Sequence, residues 1–221
     1  MATSLTLQND ASLAQGYIQV NGTTSATFTT SGITGNLTGN VTGNVTGNVT
    51  GNVTGNVTGS LTAGGSLTLA TAQTATGTAV DFTGIPSWVK RITVILNSVT
   101  LNGTTLPQIR LGTSSGILSS GYTSNLAAIT TSNAFASSSS GHILVNSGNA
   151  GFVYIGSIVF TNVTGNVWVG NGTTYYGAAG GNTTIHTSSI NLGSTLDRVR
   201  ITSGNGTDTF STGTINIMFE G

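Results

Sequence analysis

The sequence predicts an all-β protein with three parts: a short N-terminal β head, an extended shaft built from a repeat, and a C-terminal β-sandwich or jelly-roll domain. Three observations predict it. The tetrapeptide Gly-Asn-Val-Thr runs without a break from Gly39 to Thr58. Elsewhere, short runs alternate apolar and polar residues between Gly, Asn and Ser turns, as strands do. No segment carries the 3.6-residue apolar spacing of a long helix.

The head spans residues 1–34. Leu5-Thr6-Leu7 and Tyr17-Ile18-Gln19-Val20 alternate like half-buried strands, and Ala26-Thr27-Phe28-Thr29 supplies a partner strand. Asn21-Gly22 lies between two such runs, the pattern of a tight hairpin turn. A small hairpin is expected.

Residues 35–62 are the repeat. It opens with Gly35-Asn36-Leu37-Thr38 and closes with Gly59-Ser60-Leu61-Thr62. Glycine and threonine each recur every fourth residue, which makes an α-helix unfavourable. In an extended chain, alternation puts Gly and Val on one side and Asn and Thr on the other. One strand cannot bury its own valines; repeat units need neighbours to complete a core. A folded-back solenoid needs regular turns, and a four-residue period leaves little room for strand and turn together. Three intertwined chains fit better. A floppy linker is the alternative for a Gly-Asn tract, but a spacer has no need of a β-branched residue at fixed phase. Fully extended, this segment reaches at most about 90 Å.

Residues 63–221 form the C-terminal domain. Leu67-Thr68-Leu69 opens it, and Arg91–Asn97 places Ile92, Val94 and Leu96 inward. Leu106–Leu111 follows the Asn102-Gly103 turn. Ile143–Val145 comes next, then Phe152–Phe160, a mostly apolar run suited to a central strand. Asn166–Val169, Leu196–Ile201 and Thr214–Phe219 complete the set, the last with Ile215, Ile217 and Phe219 on one face. Trp88, just after Ile85-Pro86, is expected to anchor a loop to the core.

Composition narrows the function. Charged residues are 5% of the chain, against roughly 25% in an ordinary soluble protein. Net charge is zero, so no basic field exists to hold nucleic acid or an anionic membrane surface. Hydroxyls and amides are cheap to bury when they bond to one another; charges are not. Such a chain can pack against copies of itself without desolvating ions. It has no cysteine, which excludes disulfides, thiolate metal sites and cysteine nucleophiles. The N-terminus carries neither a basic stretch nor an apolar run, so no secretion signal is expected. No stretch approaches the ~18 apolar residues of a membrane helix, and no membrane insertion is expected. The Asn-x-Thr triplets are read as composition, not as glycosylation sites.

The chemistry-bearing residues are few. His142 and His186 are the two histidines, and neither has a partner at ligand or catalytic spacing in the sequence. No paired carboxylates occur. No catalytic residue, metal site or cofactor is expected. Asp197-Arg198-Val199-Arg200 is the densest charge cluster. Alternation puts both arginines on one face and Asp197 on the other; the expected use is a solvated face or ion pairs with Asp81 or Asp208 between subunits, with an acidic sugar as the rival. The candidate ligand site is aromatic: Trp168, Tyr175 and Tyr176 flank a predicted loop, Gly170–Thr174. Ring faces beside Asn and Thr side chains suit a sugar, whereas core or subunit packing is the plainer use of the same residues.

The segments Leu5–Asp10 and Gly16–Gly22, followed by the Gly-Asn-Val-Thr repeats, resemble fibre proteins of tailed bacteriophages. Val80–Ile92, with Ile85-Pro86-Ser87-Trp88 at its centre, looks like the start of a C-terminal domain shared by phage fibre-like proteins. Leu196–Ile201 and the ending Thr212–Met218 fit the same pattern. The resemblance covers most of the chain. It implies a homotrimeric virion fibre, a tail fibre or a head fibre, with a base, a shaft and a distal knob. Residues 1–34 are then expected to bind other virion proteins and the knob to contact the host surface, with a glycan as the candidate ligand. A capsid-anchored decoration fibre with little adhesion is the alternative. A depolymerase tailspike fits less well, because paired carboxylates are absent. The resemblance carries over no binding residues.

Overall fold

In the computed structural model the chain divides into two units, Met1–Val57 and Thr58–Gly221. Each is described by itself. The structure describes residues 5–10, 15–20, 23–29 and 32–34 by their backbone, and 67–130, 134–178 and 180–221 in full. The repeat of residues 35–62 lies outside the described residues.

The first unit contains a four-stranded antiparallel sheet of β1 (Leu5–Asp10), β2 (Gln15–Val20), β3 (Thr23–Thr29) and β4 (Gly32–Thr34), in sequence order. Val20 pairs with Thr23 across residues 21 and 22, the register of a two-residue connection. The sheet thus contains the expected hairpin and extends it by one strand on each side.

The second unit is built from β5 (Thr68–Leu69), β6 (Gln73–Thr74), β7 (Ala79–Thr83), β8 (Arg91–Leu101), β9 (Pro107–Thr113), β10 (Gly116–Ile117) and β11 (Thr123–Ile129). β12 (Ala134–Ser138), β13 (His142–Ile143), β14 (Val153–Thr164), β15 (Val167–Gly177), β16 (Asn182–Asn191), β17 (Leu196–Ser203) and β18 (Phe210–Glu220) follow. Two antiparallel sheets result. The smaller runs β10-β9-β17-β7, with β13 added against β9; the larger runs β12-β11-β16-β15-β14-β8-β18-β5, with β6 added against β18. The described residues are all-β, as expected.

Alternation explains the core. Ile92, Val94 and Leu96 point inward from β8, as do Ile215 and Ile217 from β18 and Tyr154, Ile158 and Phe160 from β14. Ile109, Leu111, Val199 and Ile201 face them from the smaller sheet within one hydrophobic cluster. β8 turns Val99 and Leu101 inward as well, although strict alternation from Leu96 would turn them out. A register shift on both flanking strands, near Asn97 and Ser98, resets the phase. Ser98 takes a positive φ of 53° there, the local signature of a bulge. Trp88 packs against the core beside Phe219, ring centroids 6.0 Å apart, as expected.

β15 corrects one expectation. Residues 170–174 are not a loop: the strand continues through them, paired with β14 on one side and β16 on the other. Gly170 and Gly172 read as turn residues in the sequence, yet their role is close packing. A Cβ on Gly170 would lie 2.5 Å from Phe160 Cε1, and one on Gly172 would lie 2.6 Å from the Ser157 carbonyl and 2.9 Å from His186 Cε1. Glycine inside a strand often marks such a close approach.

Candidate functional site

The aromatic candidates separate across the β15 backbone. Trp168, Gly170, Gly172, Thr174 and Tyr176 share the inner face. Trp168 and Tyr176 are each 3% exposed and belong to the core, and the Tyr176 hydroxyl donates to Asn146 Oδ1 at 2.6 Å. They present no ring face to a ligand arriving from solvent, which corrects their assignment as sugar-stacking residues. Tyr175 projects to the opposite face, and its hydroxyl donates to the Ala178 carbonyl. The three rings therefore do not converge.

The inner face instead brings together the two histidines, which the sequence kept apart. β13 belongs to the smaller sheet, where His142 lies opposite Ile109. β16 belongs to the larger sheet and carries His186 and Ser188. His142 Nε2 lies 2.7 Å from His186 Nδ1, and His142 Nδ1 lies 2.6 Å from Ser188 Oγ. His186 Nε2 lies 2.9 Å from Thr174 Oγ1 on β15. Phe160 meets the His142 ring edge-on, centroids 5.2 Å apart. With one N–H on each neutral ring, the chain of three hydrogen bonds closes if each ring donates once and accepts once.

Two further bonds fasten the same segment. The Ile143 N–H donates to Ser124 Oγ at 3.1 Å, and the Thr184 hydroxyl donates to the Leu144 carbonyl at 2.5 Å. Residues 142–144 are thus stitched across the sandwich by hydroxyls and imidazoles. Burial lowers the pKa of both histidines: His142 falls well below 6.5, with the His186 charge adding to the effect, and His186 falls to about 4. Both rings are neutral at pH 7. Serine, imidazole and a third polar group in line form the order of a nucleophile relay. In such a relay the hydroxyl must meet a substrate, whereas here Ser188 is 4% exposed and His142 0%. The arrangement is a buried polar tie between sheets.

The charged cluster lies on the smaller sheet. Arg200 grips Asp81 with two bonds of 2.7 Å; the pair forms within one chain, where the expectation set it between subunits. Asp197 bonds Arg198 Nε at 3.0 Å and Nη2 at 2.7 Å, although alternation put them on opposite faces. The register shift between Leu196 and Arg198 against β9 is the reason: the bulge lets neighbours in sequence meet. Asp208 serves a turn, where Oδ2 accepts from the Thr105 N–H at 3.0 Å and the Thr105 hydroxyl at 2.5 Å. Among the described residues, no three His, Asp, Glu or Cys gather as a metal site, and no helix is long and apolar enough to cross a membrane.

The outer face of the larger sheet is the surface that sequence reading missed. Cross-strand pairing aligns Phe135, Ala127, Ile185, Thr173, Ser157 and Ile95 in one row over six strands. Phe135 is 73% exposed and Ile185 55%. Ile129 and Ile155 lie in the adjacent row, joined through Thr183 and Tyr175. The sheet's two charged side chains other than histidine are Arg91 and Glu220, cross-strand partners whose charged groups sit 3.0 Å apart. Short β12 and its lone Phe gave little warning in the sequence. The signal was the absence of charge across five strands that alternation makes two-faced.

No protein-family model, curated protein or solved structure matches this chain.

Proposed function

We propose that the chain is a non-catalytic structural subunit of a virion fibre. Residues 35–62 form the shaft of a homotrimer, residues 1–34 attach it to other virion proteins, and the β domain is the knob displayed towards a host surface. The observation that carries this reading is the unbroken repeat, with valine at a fixed phase from Val41 to Val57. A valine stripe gains its burial from neighbouring chains. The shortage of charge supports the same reading, since identical surfaces meet without stranding ions. The neutral, buried histidine pair gives no reason to expect catalysis.

The test alters the stripe alone. Replacing Val41, Val45, Val49, Val53 and Val57 with serine keeps the length and the β domain. Sedimentation equilibrium should find three copies of the native chain associated, and the variant dissociating at concentrations where the native chain remains assembled. Equal association of both would remove the shaft from the account.

A further inference from the structure

We infer that the outer face of the larger sheet in the β domain is an interface with a second copy of this chain. The inference rests on the fibre reading for the existence of assembled copies. It goes further in naming the surface through which the domains meet.

Charge is the first argument. A foreign protein surface carries roughly a quarter of its residues charged, and burying those against a face that offers no counter-charge is costly. This face offers none between Phe135 at one edge and Leu69 at the other, apart from the self-paired Arg91 and Glu220 at one end. A copy of the same sheet brings only hydroxyls, amides and aliphatic groups. Thr173, Thr187 and Asn171 can hydrogen-bond across such a contact, and Phe135, Ile185 and Ile129 can bury their exposed area.

Size is the second argument. Eight strands lie in the hydrogen-bonded path. At a spacing of ~4.8 Å they span roughly 35 Å, and about eight residues of strand at ~3.3 Å add roughly 25 Å. The resulting face of roughly 900 Å², shared in a trimer between two neighbouring copies, is of the order of the ~800 Å² that each partner buries in a stable interface. Phe135, Ile185, Ile129 and Ile155 bring exposed apolar side chains to this one face, and such a cluster marks an interaction site.

The chain's lack of cysteine provides a clean test. Ile185→Cys and Thr173→Cys each place one thiol on this face at an exposed position, and Thr83→Cys places one on the exposed face of the smaller sheet. Each full-length variant is sized by sedimentation and then labelled with a maleimide. In the assembled protein, labelling at 185 and 173 should be at least tenfold slower than at 83, and denaturant should abolish the difference. Assembled protein labelled equally fast at all three positions would overturn the inference and leave the fibre reading standing; the face would then be open to a glycan or a foreign protein. A monodisperse monomer would overturn the fibre reading itself, and this inference with it.

Discussion

His142 and His186, separated by forty-three residues in the chain, share a hydrogen bond of 2.7 Å between opposing sheets. Because burial holds both rings neutral, folding is linked to pH. The unfolded rings take up protons below about pH 6.5, whereas folded His186 resists down to about 4. The stability that neutral His186 contributes is complete above about pH 6.5 and is lost as pH falls from 6.5 to about 4, and His142, shifted in the same direction, adds to the loss. For His186 the fall from 6.5 to about 4 corresponds to roughly 3 kcal/mol. Urea midpoints measured from pH 7.5 to 4 should decline over that window. His186→Gln should flatten the decline while lowering stability at pH 7.5 by about 1–3 kcal/mol, as expected when buried partners lose their bonds.

The glycines of β15 make a second prediction. Gly170→Ala drives a methyl into Phe160, and Gly172→Ala drives one into a backbone carbonyl beside His186. Each should cost about 1–3 kcal/mol, the usual penalty of overpacking, read as a lower denaturation midpoint. If these residues formed a loop, alanine would be nearly neutral.

Two buried tyrosines should behave oppositely. The Tyr122 hydroxyl accepts the Leu111 N–H at 2.6 Å, and burial raises its pKa to about 12. Tyr122→Phe strands that donor and should cost about 1–3 kcal/mol. The Tyr154 hydroxyl is buried with no hydrogen-bond partner of good geometry; burial raises its pKa to about 12, against a weaker opposing pull from the Asn149 backbone. Tyr154→Phe should be neutral or stabilising. Thermal denaturation of both variants checks the pair.

The Arg200–Asp81 pair, despite its two bonds, should contribute little. Its side chains are more than a third exposed, and exposed pairs are worth about 0–1 kcal/mol. Asp81→Asn should shift the denaturation midpoint slightly, and less still in high salt.

Much of this architecture was legible because period-two alternation is a local signal. Ile92, Val94, Leu96, Ile215 and Ile217 fell on the inner face as expected, and Phe152–Phe160 runs into an interior strand of the larger sheet. What alternation could not show was its own interruption. The irregularities near Ser98 and at Asp197 arise from pairing with neighbouring strands, so the composition of either segment alone does not announce them. β15 failed for a related reason: glycine means a turn locally, but here it means that Phe160 and His186 occupy the space of a side chain. The histidine tie was hidden because it joins strands of different sheets, a relation without fixed spacing. Trp168 shows the converse error, a residue placed correctly opposite Val167 and Val169 but given the wrong environment, because alternation says which residues share a face and not which face is covered.

Assembly is read from the mass of the unsubstituted 221-residue chain in solution. Sedimentation equilibrium at micromolar concentration should give a mass near three times the 22.1 kDa of one chain. A single species at the mass of one chain would mean that the protein is not a fibre subunit.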